Sequence, residues 1–476
     1  MIHLITDTPE FFSDIKEVIH LFWPEETILM EDAPGAKQLC HTHARREDRN
    51  VETWRLEGRP IRVYEGSAAD DPLGEVRERK RAVKNALFVL LRDLTGICPP
   101  WGSLTGIRPT RLLYEAEAKG MPRAEGRKWL EDVFYVSPER TELLSEILDM
   151  QKDLYDCPND EFDLYIGIPF CLTRCAYCSF SSGEIGNGKQ VEPYLAALIR
   201  EIGDMGAFLA EKGMRVRAAY MGGGTPTSLS AEQLDRVLKA ANRAFPGARE
   251  WTVEAGRPDT IDREKLTALK NNGVGRISVN PQTFHDETLA RIGRAHSSVQ
   301  TVQAFRLARD MGFDDINMDL ICALPGESRE DFAESLSRTI GLGPESITVH
   351  TLAIKRSSRL HEKGYRQIDA GEAQAMVEYA RFALRENGYA PYYLYRQKYM
   401  AGNLENVGYA KPGKACLYNI DNMEETTRIL ALGAGGISKW LFPRQLRIER
   451  AANVKNIEQY TERVEEMISR KRALIG

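Results

Sequence analysis

The sequence predicts an α/β protein: a partial barrel of six parallel strands, with a small α/β region before it and an α+β region after it. Three observations carry that expectation. Between residues 163 and 354, short apolar runs alternate with stretches of helical spacing, and repeated βα units build a parallel sheet with right-handed crossovers. The flanks, 1–155 and 366–476, break the alternation and leave 156–365 as the core. A loop with three cysteines stands directly after the first apolar run, at the C-terminal strand edge where sites of such folds gather.

In the first region, Glu52-Thr-Trp-Arg-Leu-Glu-Gly58-Arg-Pro-Ile-Arg-Val-Tyr64 reads as a hairpin around Gly58 and 75–94 as a charged, periodic helix. Residues 67–72, with Asp70 and Asp71, read as an exposed loop. The six strand candidates are 164–169, 218–222, 251–255, 276–280, 316–321 and 347–353, each bounded by Gly, Pro or Asn. Between them lie helical stripes such as Tyr194, Leu195, Leu198, Ile199 and Ile202, or Leu234, Leu238, Ala241 and Phe245. Beyond residue 364 come a helix over 372–386, the aromatic run Tyr392-Tyr393-Leu-Tyr395 with strand propensity, the glycine-rich stretch 429–438, and one charged helix over 456–472. This last region is expected to extend the barrel and cover a substrate.

With 476 residues, 42% hydrophobic and 28% charged, the chain buries a large core. Mean hydropathy is -0.40, and no apolar run approaches the roughly 18 residues a membrane span needs. Net charge of -5 argues against a protein that coats nucleic acid. The start, Met1-Ile-His-Leu-Ile-Thr-Asp7, lacks an export signal, so a cytoplasmic location and reduced thiols are expected for all eight cysteines.

The chemistry concentrates in Tyr165-Ile-Gly-Ile-Pro-Phe-Cys171-Leu-Thr-Arg-Cys175-Ala-Tyr-Cys178. A structural zinc site calls for four ligands, usually in two pairs, and a disulfide would strand one thiol. Three core thiols are a further reading. The spacing suits an iron-sulfur cluster held at three irons with the fourth open. Met221-Gly222-Gly223-Gly224-Thr225-Pro226-Thr227 follows the second strand, where glycines either mark a turn or admit a ligand close to the main chain. Glu254, Gln282, Arg294 and Asp319 lie at or near later strand ends. Each alone is equally an ordinary rim residue, although an acid in an apolar strand such as Asp319 needs a partner or a ligand. Cys40, Cys98, Cys157, Cys322 and Cys416 are scattered and read as buried structural thiols.

The C-x3-C-x2-C run resembles the signature of radical S-adenosylmethionine (SAM) enzymes, and Ile168-Pro-Phe-Cys171 with Tyr177-Cys178 resembles the branch containing oxygen-independent coproporphyrinogen III oxidase. From about Trp101 onward, the stretches beginning at Ser103, Glu254, Val349, Asn403 and Leu432 are similar to HemZ-type coproporphyrinogen dehydrogenase proteins. The resemblance implies a radical SAM partial (β/α)6 barrel with a 4Fe-4S cluster on Cys171, Cys175 and Cys178. It further implies SAM held by Tyr165, Tyr177, Gly222, Gly223, Gly224, Thr225, Glu254, Gln282, Arg294 and Asp319. The implied activity is oxidative decarboxylation of two propionates of coproporphyrinogen III to vinyls, giving protoporphyrinogen IX in anaerobic haem biosynthesis. Its tetra-anionic substrate calls for cations, with Arg108, Lys355, Arg356 and Arg396 as candidates. A reductant such as flavodoxin or ferredoxin is the implied partner, with neither nucleic acid nor membrane. Two positions depart from the HemN pattern: Phe180 stands where a further Cys is expected and Gly167 where a His is expected. A second SAM site is not traceable. HemW relatives keep the cluster motif and deliver haem, a reading in which His350 or His361 serves as axial ligand. Another tetrapyrrole such as haem, or an RNA base, is a third reading.

Overall fold

Six short strands run parallel and in sequence order, each sending the chain back through a helix on one face. The computed structural model describes residues 1–476 apart from 107, 181, 356, 367, 399 and 443–446. It divides into two compact units, Met1–Ser145 with Gly402–Leu404, and Glu146–Ala401 with Glu405–Gly476.

In the first unit a five-stranded sheet has the order Ile28–Leu29, Ile2–Thr6, Lys37–Arg46, Arg49–Leu56, Arg62–Ser67. The last two strands form the hairpin around Gly58, whose φ of 72° suits a residue without a side chain. Helices Phe12–Phe22 and Pro72–Thr95 share a core with the sheet through Ile15, Val18, Trp54, Val83 and Leu87. The longer helix starts where the Asp71 carboxylate accepts from Gly74 N–H at 2.7 Å, and ends at left-handed Gly96. The loop carrying Asp70 and Asp71 is therefore also the cap of the helix behind it.

The barrel strands of the second unit are Glu161–Ile168, Arg215–Gly223, Glu250–Val253, Arg276–Ser278, Ile316–Cys322 and Ser346–Thr351, joined in register as parallel neighbours. Side chains alternate across each strand. Leu164, Ile166 and Ile168 pack with the crossover helices, including Leu198 of Val191–Glu211 and Leu238 of Ala231–Ala244. Tyr165, Ala218 and Tyr220 face the other way, into a smaller cluster with Tyr392, Tyr393 and Tyr418. Three crossover helices begin with reciprocal capping boxes, at Ser230 and Gln233, Ser297 and Gln300, and Ser328 and Asp331.

The structure adds a seventh parallel strand. Arg428–Leu432 pairs with the first barrel strand, Leu430 beside Leu164. The preceding helix, Leu417–Glu424, packs with the tyrosine cluster on the helix-free face, so no crossover rhythm announces this strand. Antiparallel strands flank both ends, Asn406–Ala410 and Ala390–Tyr395 on one side, Ile437–Phe442 and Arg447–Ala452 on the other, giving eleven strands among the described residues.

Two further expectations need correction. The terminal helix is two helices, Ile457–Glu462 and Val464–Ile475, broken at Arg463 where φ is -115°. The second one docks through Lys471, wholly buried, whose ammonium donates to Glu201 at 2.7 Å. Of the five scattered cysteines only Cys322 and Cys416 are buried; Cys40 and Cys157 are half-buried, and Cys98 is exposed in the irregular segment after the long N-terminal helix.

Candidate functional site

The first barrel strand ends at Ile168, and Pro169 turns the chain into Phe170–Cys171, which pairs with Gly183–Glu184. Cys175 and Cys178 sit in the turn beyond, where Cys178 N–H donates to the Cys175 carbonyl at 3.2 Å. All three thiols are half-buried, and burial pushes the Cys178 thiol up. Later elements fix this loop. Ala176 N–H donates to the Ile292 carbonyl at 2.8 Å, Leu360 N–H donates to the Ala176 carbonyl at 2.9 Å, and Arg294 Nη2 donates to the Tyr177 hydroxyl at 2.9 Å.

Among the described residues no three His, Cys, Asp or Glu side chains converge on a single ion. A cubane held at three separate irons requires no such convergence, so this donor set fits a cluster with one open corner. Beside it, Thr225 Oγ1 lies 3.6 Å from the Cys171 sulfur. Gly222 and Gly223 finish the second strand and Gly224 follows. A Cβ on Gly224 would stand 2.5 Å from the Phe170 carbonyl oxygen, and one on Gly222 would stand 2.8 Å from the Glu254 carboxylate, while Gly223 has φ of 105°. A side chain at Gly222 or Gly224 would have to displace Glu254 or the Phe170 main chain, so this turn packs closely against the start of the cysteine loop.

Glu254 follows the third strand and accepts from the Tyr220 hydroxyl at 2.6 Å. Burial pushes its carboxyl up to about 7, against that hydrogen bond, with Asp319 adding to the rise. Tyr220 belongs to a triangle of near-parallel rings, 4.6 Å from Tyr418 and 6.3 Å from Tyr165, which is 6.2 Å from Tyr418. Asp319 accepts from Asn280 and from Asn317, each at 2.7 Å, and lies 3.6 Å from His350 Nε2. Burial raises its pKa, but the His350 and Asn317 contacts outweigh that and hold it below the ordinary carboxylate range.

Gln282, left-handed at φ of 67°, is tied by its backbone to Asp319 and Ile321, while its buried side-chain oxygen has no partner. An acceptor in that state calls for a donor such as a ribose hydroxyl or an amine. The residues therefore fit SAM, whose polar groups match the carboxylates of Glu254 and Asp319 and the unpartnered Gln282 oxygen in chemical type.

Of the proposed cations, Lys355 feels the charge of the thiol loop: burial lowers its pKa and Cys178 opposes the fall. Arg396 is almost wholly enclosed, at 3% exposure. Arg108 belongs to the first unit, and Arg356 lies outside the described residues. Sequence reasoning missed Tyr220, Asn280, Asn317 and His350 as partners of the two carboxylates. Only their places at strand ends beside motif residues could have marked them. It also missed His296, buried at 3% exposure with both ring nitrogens lacking a partner of hydrogen-bonding geometry, and lowered by burial and by Arg294 to about 4.

The family model of the Radical SAM superfamily matches residues 165–338, from the first barrel strand through the fifth crossover helix. That superfamily uses a 4Fe-4S cluster and SAM, and these are the cofactors of this chain. The chain is 44% identical to the oxygen-independent coproporphyrinogen-III oxidase-like protein HemZ of Bacillus subtilis, over 83% of this chain and 81% of that one. It is 35% identical to the heme chaperone HemW of Bacillus subtilis over 48% of its length, spanning 61% of that relative. Among solved structures, the coproporphyrinogen III oxidase HemN of Escherichia coli shares the fold, with a TM-score of 0.54 at 24% identity, covering 67% of this chain and 72% of that one. The chain belongs to the HemZ/HemN-like coproporphyrinogen oxidase family of radical SAM proteins.

Proposed function

We propose that this chain is a radical SAM oxidoreductase of anaerobic porphyrin biosynthesis that decarboxylates two propionates of coproporphyrinogen III, leaving the vinyls of protoporphyrinogen IX. The similarity to HemZ along 81% of that relative carries the reading. Each propionate would lose a hydrogen atom, one electron and carbon dioxide. When bound, the cluster and SAM supply a one-electron reductive cleavage yielding a 5′-deoxyadenosyl radical, the hydrogen-abstracting agent.

The protein's part is to hold and orient. Cys171, Cys175 and Cys178 ligate three irons. Gly222, Gly223, Gly224 and Thr225 offer main chain to the methionine end of SAM, with Glu254, Gln282, Arg294 and Asp319 taking its polar groups and Tyr165 and Tyr177 walling the site. Lys355, its ammonium partly dehydrated, receives a propionate. Region 1–155 is accessory, 156–365 is the catalytic barrel, and 366–476 covers the substrate. A flavodoxin- or ferredoxin-like reductant feeds the cluster in the cytoplasm, where thiols stay reduced. No helix among the described residues is long and apolar enough to cross a membrane.

Haem delivery is a second reading, favoured by the 35% identity to HemW. Under it, His350 or exposed His361 would ligate haem iron. Anaerobic incubation with dithionite, SAM and coproporphyrinogen III, read by mass spectrometry, separates the two. Protoporphyrinogen with matching 5′-deoxyadenosine supports the oxidase. Tight haem binding without turnover of the precursor replaces it with the chaperone.

A further inference from the structure

The stretch Glu254-Ala-Gly-Arg-Pro-Asp259 contains a buried guanidinium that the cofactor contacts above leave unused. Arg257 is 3% exposed. Its Nε and Nη2 donate to the two carboxylate oxygens of Asp259, at 3.1 and 2.8 Å, the paired geometry that fixes a guanidinium plane. With that plane fixed, Nη1 reaches into the cysteine loop, donating to the Thr173 carbonyl at 3.1 Å and to the Thr173 hydroxyl at 2.8 Å. Thr173 lies between Cys171 and Cys175, and its hydroxyl passes a hydrogen bond on to the Gly293 carbonyl at 3.3 Å.

Arg294 grips Tyr177, between Cys175 and Cys178. The three-residue and the two-residue spacers of the motif are therefore each held by a guanidinium from the barrel mouth, Arg257 buried and Arg294 half-buried. Arg294 doubles as a proposed SAM contact, whereas the bonds of Arg257 are spent on Asp259 and the loop. Asp259 takes the Nε and Nη2 edge of the guanidinium and Thr173 takes Nη1, so the pair is a dipole with its positive end toward the cysteine loop. Local charge and hydrogen bonding set the potential of an iron-sulfur cluster, and in a poorly hydrated site such charges act strongly.

We infer that Arg257, oriented by Asp259, is a positioning residue of the cysteine loop and that its positive end raises the reduction potential of the cluster this loop carries. The inference rests on the cluster assignment proposed above. Removing Arg257 should lower the potential, because the more negative reduced cluster loses a favourable charge. Removing the charge of Asp259 should raise it, because the guanidinium is then less neutralised. Loosening of the loop alone would not give shifts of opposite sign.

The test uses the full chain with Arg257→Met, Arg257→Lys and Asp259→Asn. In the metal-free protein, amide hydrogen exchange over 171–180 should quicken on the order of tenfold or more in Arg257→Met, well beyond the change in the rest of the barrel, while the Tm falls because Asp259 loses its counter-charge. Arg257→Lys should recover part of that protection. In the anaerobically reconstituted protein, spectroelectrochemistry should give a lower midpoint potential for Arg257→Met, a higher one for Asp259→Asn, and one nearer wild type for Arg257→Lys. Shifts of the same sign, no shift, or exchange that quickens uniformly across the barrel would overturn the inference. Failure of the cluster assignment shows separately, as unchanged iron and visible absorbance in Cys175→Ala.

Discussion

The two ends of the barrel strands use the same acidic residue types with different partners. At the N-terminal ends, carboxylates meet guanidinium groups: Glu161 with Arg249 at 2.6 Å, Asp421 with Arg217 at 2.8 Å, and Asp315 with Arg276 at 3.0 Å. Toward the C-terminal ends, Glu254 takes a tyrosine hydroxyl and Asp319 takes two side-chain amides and an imidazole. A carboxylate locked to a permanent cation is committed to holding the fold. One held by hydroxyl, amide and imidazole groups has no permanent cation bound to it and can turn to a ligand that brings a positive or donor-rich group, as a sulfonium amino acid does. Apart from the Arg257–Asp259 pair that braces the cysteine loop, chemistry and cohesion are thus separated along the length of one sheet.

Breaking each end should have different consequences. The largest functional effect belongs to Cys175→Ala, which should abolish bound iron, visible absorbance and SAM cleavage together while leaving the unfolding midpoint of the metal-free protein near wild type. Arg217→Met at the opposite end should cost about 3–5 kcal/mol in denaturant unfolding, since it strands Asp421 and its neighbour Asp163 without a counter-charge. Asp319→Asn should cost about 1–3 kcal/mol, because an amide offers one acceptor oxygen where Asn280 and Asn317 each donate to a separate carboxylate oxygen, and should weaken SAM binding at least about tenfold by calorimetry under anaerobic conditions.

The smallest effect is a pH dependence at Glu254. Its folded value of about 7 lies above its ordinary 4.5, so its neutral form stabilises the fold fully below about 4.5, and that contribution is lost as pH rises through about 7. SAM affinity should move the opposite way, strengthening as the carboxylate ionises through the same window. Glu254→Gln should flatten both profiles. A mutant that keeps the wild-type affinity profile would assign the dependence to another group.

The six barrel strands were legible because each is a short apolar run between turn residues, and the thiol loop because its spacing is dense and local. The seventh strand was not, since 428–432 pairs with 162–166 across most of the barrel sequence and nothing local announces a partner that distant. The break at Arg463 escaped because charged, periodic residues continue on both sides of it. In the site, glycines and acids advertised themselves. Tyr220, Asn280 and Asn317 did not, because their importance comes from which carboxylate the folded sheet sets beside them. Arg396 attracted attention as a cation following a strand, but burial, which sequence does not display, encloses it.

The placement of Arg428–Leu432 against the strand that leads into Cys171 bears on how the protein is made. On the ribosome the strand that leads into the cysteine loop emerges early and gains its first neighbour through Ala219 and Tyr220, but its other edge stays bare until the whole six-stranded barrel has been translated. Bare edges invite wrong pairing, and long-range parallel pairing forms slowly. Metal loading should therefore follow release of the chain, and nascent chains halted before residue 428 should be the aggregation-prone species that folding helpers must shield.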